Sequence, residues 1–218
     1  MKSFNPSCTA CPRLAGHLRE QRLRFPTYFN RPVPAFGAAK GALLVVGLAP
    51  GLHGANRTGR PFTGDHAGIL LYETLHEFGF ASHKGSAEVT DGLQLKDCRI
   101  TNAVKCLPPK NKPESQEVLQ CNAYLAGEIH DFSPRAILAL GVVAHNAVLR
   151  ALDCRIAGFP FRHGARHSVD TGRAPARASA LIFDSYHCSR YNTQTRRLTP
   201  QMFKAVFSDI ARSLAEQT

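Results

Sequence analysis

The chain has 218 residues and a formal net charge of +11, from 27 lysines and arginines against 16 aspartates and glutamates. This length is enough for one domain with a buried core, and the positive charge favours a polyanionic partner such as nucleic acid. No stretch approaches the ~20 apolar residues of a membrane span, and the start lacks the apolar core of a secretory signal. These features argue against a membrane protein, and we expect a cytoplasmic monomer.

Predicted strands and helices alternate along the chain. Short apolar runs predict strands at 42–47, 99–103, 135–141 and 180–184, and helical spacing predicts helices at 67–78, 114–132, 142–152 and 200–214. The last helix also has Thr199 to cap it and Pro200 at its first position. The alternation predicts one α/β domain over 1–218, a three-layer α/β/α sandwich with a central, mainly parallel four-stranded sheet.

A glycine-rich loop follows the first predicted strand. Residues 47–68 contain six glycines and two prolines, together with Arg57, Arg60, Phe62 and Asp65. Open α/β folds bind ligands at the carboxyl ends of their strands, where this loop begins. Its arginines, ring and carboxylate suit an anionic or aromatic ligand such as a nucleotide, and the alternative is a turn shaped only for packing.

Four of the seven cysteines have the spacing of metal ligands. Cys8 and Cys11 form a C-x2-C pair, while Cys106 precedes Leu-Pro-Pro and Cys121 follows on a predicted helix. An odd number of cysteines without an export signal argues against a disulfide framework. Four thiolates can hold tetrahedral zinc or a [4Fe-4S] cluster, and their softness does not decide between the two. Buried thiols without a metal are the third possibility.

Several motifs at the ends of the predicted strands occur together. They are Gly-Leu-Ala-Pro-Gly at 47–51, His-Gly-Ala-Asn-Arg-Thr-Gly-Arg-Pro-Phe-Thr-Gly-Asp at 53–65, Thr-Asn-Ala-Val-Lys-Cys-Leu-Pro-Pro at 101–109, Asn-Lys-Pro at 111–113 and His-Cys-Ser-Arg-Tyr-Asn-Thr-Gln-Thr-Arg-Arg-Leu-Thr at 187–199. With these motifs and the four cysteines, the chain resembles the uracil-DNA glycosylase superfamily, most closely its iron-sulfur branch, family 5 or type B. The stretch from 149 to 180 matches none of the family's motifs.

The resemblance implies a monofunctional DNA-repair glycosylase. Such an enzyme flips uracil, or another deaminated base such as hypoxanthine, out of DNA and hydrolyses the N-glycosidic bond to leave an abasic site. The substrate expected from it is uracil-containing double-stranded DNA. The resemblance also selects a structural [4Fe-4S] cluster for Cys8, Cys11, Cys106 and Cys121, formed by the N-terminal segment and residues 106–121.

By motif position, the resemblance gives Asp65 and His187 the catalytic roles. Asp65 would activate water and stabilise the cationic sugar, and His187 would donate a hydrogen bond to a uracil carbonyl. Asp65 is equally suited to be a helix N-cap, and a histidine at a strand end often only bonds backbone. Leu48 and Ala49 stand where related branches have a polar residue, which leaves the carboxylate to Asp65.

The remaining expected contacts are to the base and to DNA. The flipped base would be bound by Phe62 through stacking and by Asn102 through its amide, while the backbone amides of Leu48 and Gly51 would contact the base or the phosphate. The alternatives are that Phe62 only anchors its loop and that Asn102 is a turn residue. Ser189, Arg190 and Tyr191 lie in the loop that enters the minor groove in relatives, and Tyr or Arg is a plausible wedge.

Two positions depart from the family pattern: Cys188 replaces a common proline and Arg196 a common glycine. A basic segment, with Arg155, Arg162, Arg166, Arg173 and Arg177, suits phosphate contacts or a solvated surface.

Two other functions fit the same residues. One is a non-catalytic nucleic-acid-binding module that keeps the pocket without the chemistry. The other is a zinc-containing α/β nucleotide-binding protein, which is disfavoured because the glycine-rich loop lacks the G-x-x-x-x-G-K-[ST] phosphate signature.

Overall fold

The computed structural model of the protein describes residues 3–170 and 179–217. Its helices are α1 (Pro12–Arg24), α2 (Ala55–Thr58), α3 (His66–Glu77), α4 (Ser115–Phe132), α5 (Val142–Ala151), α6 (Arg190–Gln194) and α7 (Pro200–Ala215). Its strands are β1 (Phe36–Gly37), β2 (Leu43–Gly47), β3 (Cys98–Asn102), β4 (Ala136–Leu140), β5 (Arg166–Asp170) and β6 (Ser179–Ser185). Short 3-10 turns lie at Pro109–Asn111 and Ile156–Gly158.

The strands form one sheet in the order β1-β3-β2-β4-β6-β5. The four predicted strands are its parallel centre, β3-β2-β4-β6, which confirms the α/β prediction. The predicted count of four was wrong, since β1 and β5 pair antiparallel at the two edges of the described sheet. Both are hard to see in the sequence because β1 has only two residues and β5 reads Arg-His-Ser-Val-Asp, which has little apolar character.

Two hydrophobic clusters cover the two faces of the sheet and give the three layers. Alternate residues of β2 point to opposite faces: Leu43 and Val45 belong to one cluster, Leu44 and Val46 to the other. The first cluster includes α3 and α7 residues such as Leu71 and Phe207, and the second includes residues of α1, α4 and α5. All five residues of β2 are buried, as expected for a central parallel strand.

The predicted helices begin where their caps indicate. Thr199 accepts a hydrogen bond from the Met202 amide at 3.2 Å, and Pro200 is the first residue of α7. Glu114 and Glu117 form a capping box that begins α4 one residue later than predicted. The sequence analysis missed α1, α2 and α6. Among the described residues, no helix combines the length and apolar character needed to cross a membrane.

The unmatched stretch from 149 to 180 contains the edge strand β5, on which Arg166 lies. Arg155 and Arg162 lie in the connections on either side of the 3-10 turn Ile156–Gly158. Arg173 and Arg177 fall outside the described residues. The assignment of 1–218 to a single domain stays a prediction.

Candidate active site

A pocket of about 450 Å³ opens at the carboxyl edge of the sheet, beside the ends of β2, β4 and β6. Its lining consists of Leu48, Ala49, Gly51, Asp65, Asn111, Leu140, Gly141, Val142, Val143, His187 and Ser189. Five predicted site residues therefore meet here, although they come from segments more than a hundred residues apart. This position follows the general rule that parallel α/β sheets bind ligands at this edge.

Asp65 is both the N-cap of α3 and a wall of the pocket. Its Oδ1 accepts a hydrogen bond from the Gly68 amide at 3.0 Å, while its Oδ2 lies close against Gly54. A Cβ atom on Gly54 would stand only 2.5 Å from that oxygen, so the loop needs glycine there. Burial raises the pKa of Asp65, and the amides of Gly68 and Ala67 partly offset it. Asp65 can therefore serve as the cap of α3 and as a carboxylate of the pocket at the same time.

His187 faces the same pocket from the loop after β6. Its ring stacks on Phe62 with centroids 5.9 Å apart, and Asn192 Nδ2 donates a 2.8 Å hydrogen bond to the His187 carbonyl. Its Nδ1 is buried without a hydrogen-bond partner in the described residues. Burial lowers the pKa of His187 to about 4, so the ring is neutral near pH 7 and can donate through one nitrogen.

Phe62 and Asn102 lie beneath the pocket instead of lining it. Both are almost fully buried, and both crowd Gly47, where a Cβ atom would stand 2.4 Å from Asn102 Oδ1 and 2.6 Å from the Phe62 ring. Phe62 has a left-handed backbone, with φ of 56°. Leu48, Gly51 and His187 line the pocket, and the expected contacts of Leu48, Gly51, Phe62 and Asn102 with the base stay predictions.

Six of the eleven lining residues were given no site role by the sequence analysis, among them Asn111, Val142 and Val143. Asn111 ends the 3-10 turn Pro109–Asn111 with φ of 55°, a conformation that asparagine tolerates well. The Asn-Lys-Pro motif at 111–113 was the sequence feature that could have identified Asn111 as a site residue. Val142 and Val143 begin α5 and are 50% and 37% exposed. They add an apolar wall at the mouth of the pocket.

The two loop arginines expected to suit an anionic ligand are used within the protein. Arg57 pairs with Glu88 at 2.6 Å, and the buried Arg60 pairs with Asp91 at 2.5 Å. These pairs tie the glycine-rich loop to residues 86–91. Both acidic partners lie about thirty residues downstream of the arginines, so the sequence spacing did not indicate these pairs.

The segment after His187 presents polar and aromatic side chains to solvent. Ser189 lines the pocket and caps α6, accepting from the Asn192 amide at 3.4 Å. Arg190 is exposed and Tyr191 is 70% exposed. Cys188 is fully buried, and burial raises its pKa, so its thiol is neutral. The expected contacts of Ser189, Arg190 and Tyr191 with DNA stay predictions.

The four cysteines predicted as ligands line one cavity, together with Phe4, Leu14 and Tyr124. The Lys105 amide donates to Cys121 Sγ at 3.4 Å, and burial, followed by the three neighbouring sulfurs, raises the pKa of Cys106 to about 12. Four thiolates in one cavity can hold a single zinc ion or an iron-sulfur cluster.

Together, the three-layer fold and the pocket define an α/β enzyme-like domain whose carboxylate and neutral imidazole face one ligand site. The family model of the Uracil DNA glycosylase superfamily matches residues 34–211. Type-5 uracil-DNA glycosylase of Thermus thermophilus is 42% identical over 212 residues, covering 94% of this chain and 93% of the relative. The protein of the same name from Mycobacterium leprae is 42% identical over 95% of this chain and 91% of its own length. The protein of the same name from Pyrobaculum aerophilum is 38% identical over 92% of this chain and 86% of its own length. The chain belongs to the uracil-DNA glycosylase superfamily.

Proposed function

We propose that this protein excises uracil from DNA by hydrolysing the N-glycosidic bond and leaves an abasic site. The observation that carries the proposal is the pairing of Asp65 and His187 across one pocket at the carboxyl edge of the sheet, in a chain of this superfamily. The relatives named type-5 uracil-DNA glycosylase support the same reaction. Hypoxanthine is a second substrate to be tested, and the protein would act as a cytoplasmic monomer on double-stranded DNA.

Cleavage of the glycosidic bond builds positive charge on the sugar and negative charge on the departing base. The Asp65 carboxylate, with Oδ1 fixed by the α3 cap, would stabilise the sugar and orient the attacking water. The neutral His187 ring would donate a hydrogen bond to a uracil carbonyl, because its depressed pKa keeps it uncharged and its stacking on Phe62 fixes the ring. Asn111, on the pocket wall, offers a further amide to the base or the water.

A flipped base leaves a gap in the duplex that the protein must fill. Tyr191 is 70% exposed and follows the pocket-lining Ser189 by two residues. Its ring would enter the minor groove while Arg190 contacts phosphate. Uracil in a U:G mismatch would be easier to flip than uracil in a U:A pair, since a mismatched base costs less free energy to unpair.

The test compares Asp65→Asn with wild type by alkali-induced strand scission of a labelled duplex that carries one U:G pair. Asparagine caps helices as well as aspartate does, so this variant keeps α3 intact while it loses the charge. We expect excision to fall by about 10²- to 10⁴-fold with an unchanged melting temperature. Asp65→Ala is the matched control for the cap, and it should lose about 1 kcal/mol of stability as well.

Equal excision by wild type and Asp65→Asn would move the chemistry to another residue. No excision of uracil or hypoxanthine by folded wild type would favour the non-catalytic binding module.

We also propose that Cys8, Cys11, Cys106 and Cys121 hold a structural [4Fe-4S] cluster. Their convergence on one cavity, in a chain similar to type-5 uracil-DNA glycosylases, supports this assignment. The cluster would act as a cross-link between the segment before α1, the end of β3 and helix α4. It would carry no part of the glycosylase chemistry.

Iron content and visible absorbance test the cluster. Cys106→Ser should lose most of its iron and its charge-transfer absorbance, because a serine oxygen is a poor ligand for a soft cluster. Cys154→Ser, outside the cavity, is the control and should keep both. A wild-type protein that holds one zinc ion on sulfur and no iron would overturn the assignment.

A further inference from the structure

A buried group of two histidines and an aspartate lies apart from both sites described above. His145 belongs to α5, His167 to β5 and Asp184 to β6, and one ligand atom from each lies within 4.8 Å of the others. His145 and Asp184 are fully buried, while the His167 side chain is 12% exposed. No other group of this kind occurs among the described residues.

The hydrogen bonds of the triad require a proton or a cation between His145 and Asp184. His145 Nε2 lies 2.8 Å from the Phe159 carbonyl, so that nitrogen must carry a proton. Its Nδ1 then lies 2.7 Å from Asp184 Oδ1, where two lone pairs would face each other unless a proton or a cation lies between them. His167 Nε2 approaches the other carboxylate oxygen at 3.2 Å.

We infer that this triad is a binding site for one divalent transition-metal ion of the zinc class, with His145 Nδ1, His167 Nε2 and Asp184 as protein ligands. Two imidazoles and a carboxylate are donors that zinc accepts. A ligating histidine commonly donates its other ring N–H to a backbone carbonyl, which is the bond that His145 makes to Phe159. The metal displaces the proton between His145 and Asp184.

The triad must open to hold one ion. Ligand atoms on a tetrahedral zinc ion are about 3.3 Å apart. His167 Nε2 lies 3.2 Å from Asp184 Oδ2, which is close to this value, whereas His145 Nδ1 lies 2.7 Å from the other oxygen, Oδ1, and must move away from it. Three protein ligands leave one coordination position for water.

The metal would hold the end of β6 to β5 and to α5. Asp184 precedes His187 by three residues, so the ion would stabilise the strand from which the His187 loop departs. Its role is therefore structural support of that strand, in a different part of the protein from the four cysteines.

The experiment measures zinc and iron together. Iron-loaded wild type is incubated with Zn²⁺, desalted and assayed for both metals, and its zinc coordination is read by X-ray absorption. We expect one zinc per chain with unchanged iron, a nitrogen and oxygen shell at about 2.0 Å and no sulfur at about 2.3 Å. Zinc should also raise the melting temperature of the protein, because it binds the folded state.

His167→Gln tests the ligand set, since its amide can still donate to Asp184 but cannot replace the imidazole. We expect its zinc affinity to fall at least tenfold with unchanged iron content. His163→Gln removes a neighbouring histidine that stacks on Tyr186 outside the triad, and it should bind zinc as wild type does. A sulfur shell around zinc, equal affinity in His167→Gln, or no uptake by wild type at micromolar Zn²⁺ would overturn the inference.

Discussion

At the scale of single residues, burial acts in opposite directions on the two proposed catalytic groups. It raises the pKa of the Asp65 carboxyl and lowers that of the His187 ring to about 4, because it disfavours whichever form is charged. Asp65 acts on water only when it is ionised, whereas the neutral His187 ring still donates a hydrogen bond through one nitrogen. Excision therefore needs a pH above the raised pKa of Asp65.

The pH dependence of excision follows from these two shifts. Activity should fall as the pH drops through the raised pKa of Asp65, above the usual range of an aspartate, and should show no limb between about pH 6 and 8 from His187. Single-turnover excision rates from pH 4 to pH 8.5 measure this. A transition near the ordinary histidine pKa of about 6.5 that disappears in His187→Asn would contradict it.

Arg196 has a strained backbone. Its φ of 57° lies in the left-handed region, where glycine is the favoured residue and arginine carries strain. The glycine that the family resemblance led us to expect at this position would adopt the same conformation without strain. The neutral thiol of Cys188 packs in the core cluster on the α3 and α7 side.

At the scale of elements, a buried ion pair joins the end of β3 to α4. Lys105 is 1% exposed, and its Nζ lies 2.6 Å from Glu128 Oε2. That oxygen also accepts from Thr101 Oγ1 at 2.7 Å. The pair fixes the residue next to Cys106 against the helix that carries Cys121, so it braces two of the proposed cluster ligands.

Removing the charge of Glu128 should therefore be costly. Glu128→Gln leaves the buried Lys105 ammonium uncompensated, and we expect a loss of about 3–5 kcal/mol in the free energy of unfolding. Urea denaturation of the iron-loaded protein measures it. The double variant Lys105→Met, Glu128→Leu removes both charges and should recover much of the loss; a single-variant effect below about 1 kcal/mol would show that the pair contributes little.

At the scale of the whole molecule, the sequence predicted what depends on local pattern. Strand β2 and helix α7 were predicted because an uninterrupted apolar run and a capped apolar stripe are visible within a few residues. Helix α1 was missed because most of its side chains are polar and it buries only Leu14, Leu18 and Gln21. Edge strand β5 depends on pairing with β6 rather than on its own residues.

The candidate site likewise contains residues that the sequence predicts and residues that it does not. Asp65 and His187 could be predicted because motifs mark them, and Asn111 could have been predicted from its motif. The ion pairs of Arg57 and Arg60, and the triad of His145, His167 and Asp184, join residues far apart in the chain, so no spacing in the sequence reveals them. Tertiary packing alone brings these partners together.

The net charge of +11 predicts strongly salt-dependent binding to DNA, since each neutralised phosphate releases a counterion. We expect log Kd of the slowly cleaving Asp65→Asn variant on a U:G duplex to rise with log salt with a slope of at least about 3.6, which corresponds to four phosphates. Fluorescence anisotropy over a potassium chloride series measures the slope.

Variants of the neighbours Arg190 and Tyr191 distinguish a charge contact from a stacking contact. Arg190→Ala should reduce the slope by about 1, because it removes a phosphate contact. Tyr191→Ala should weaken binding at every salt concentration with the slope unchanged, because an inserted ring releases no counterions; a reduced slope in the tyrosine variant alone would mean that the wedge and the phosphate contact are assigned the wrong way round.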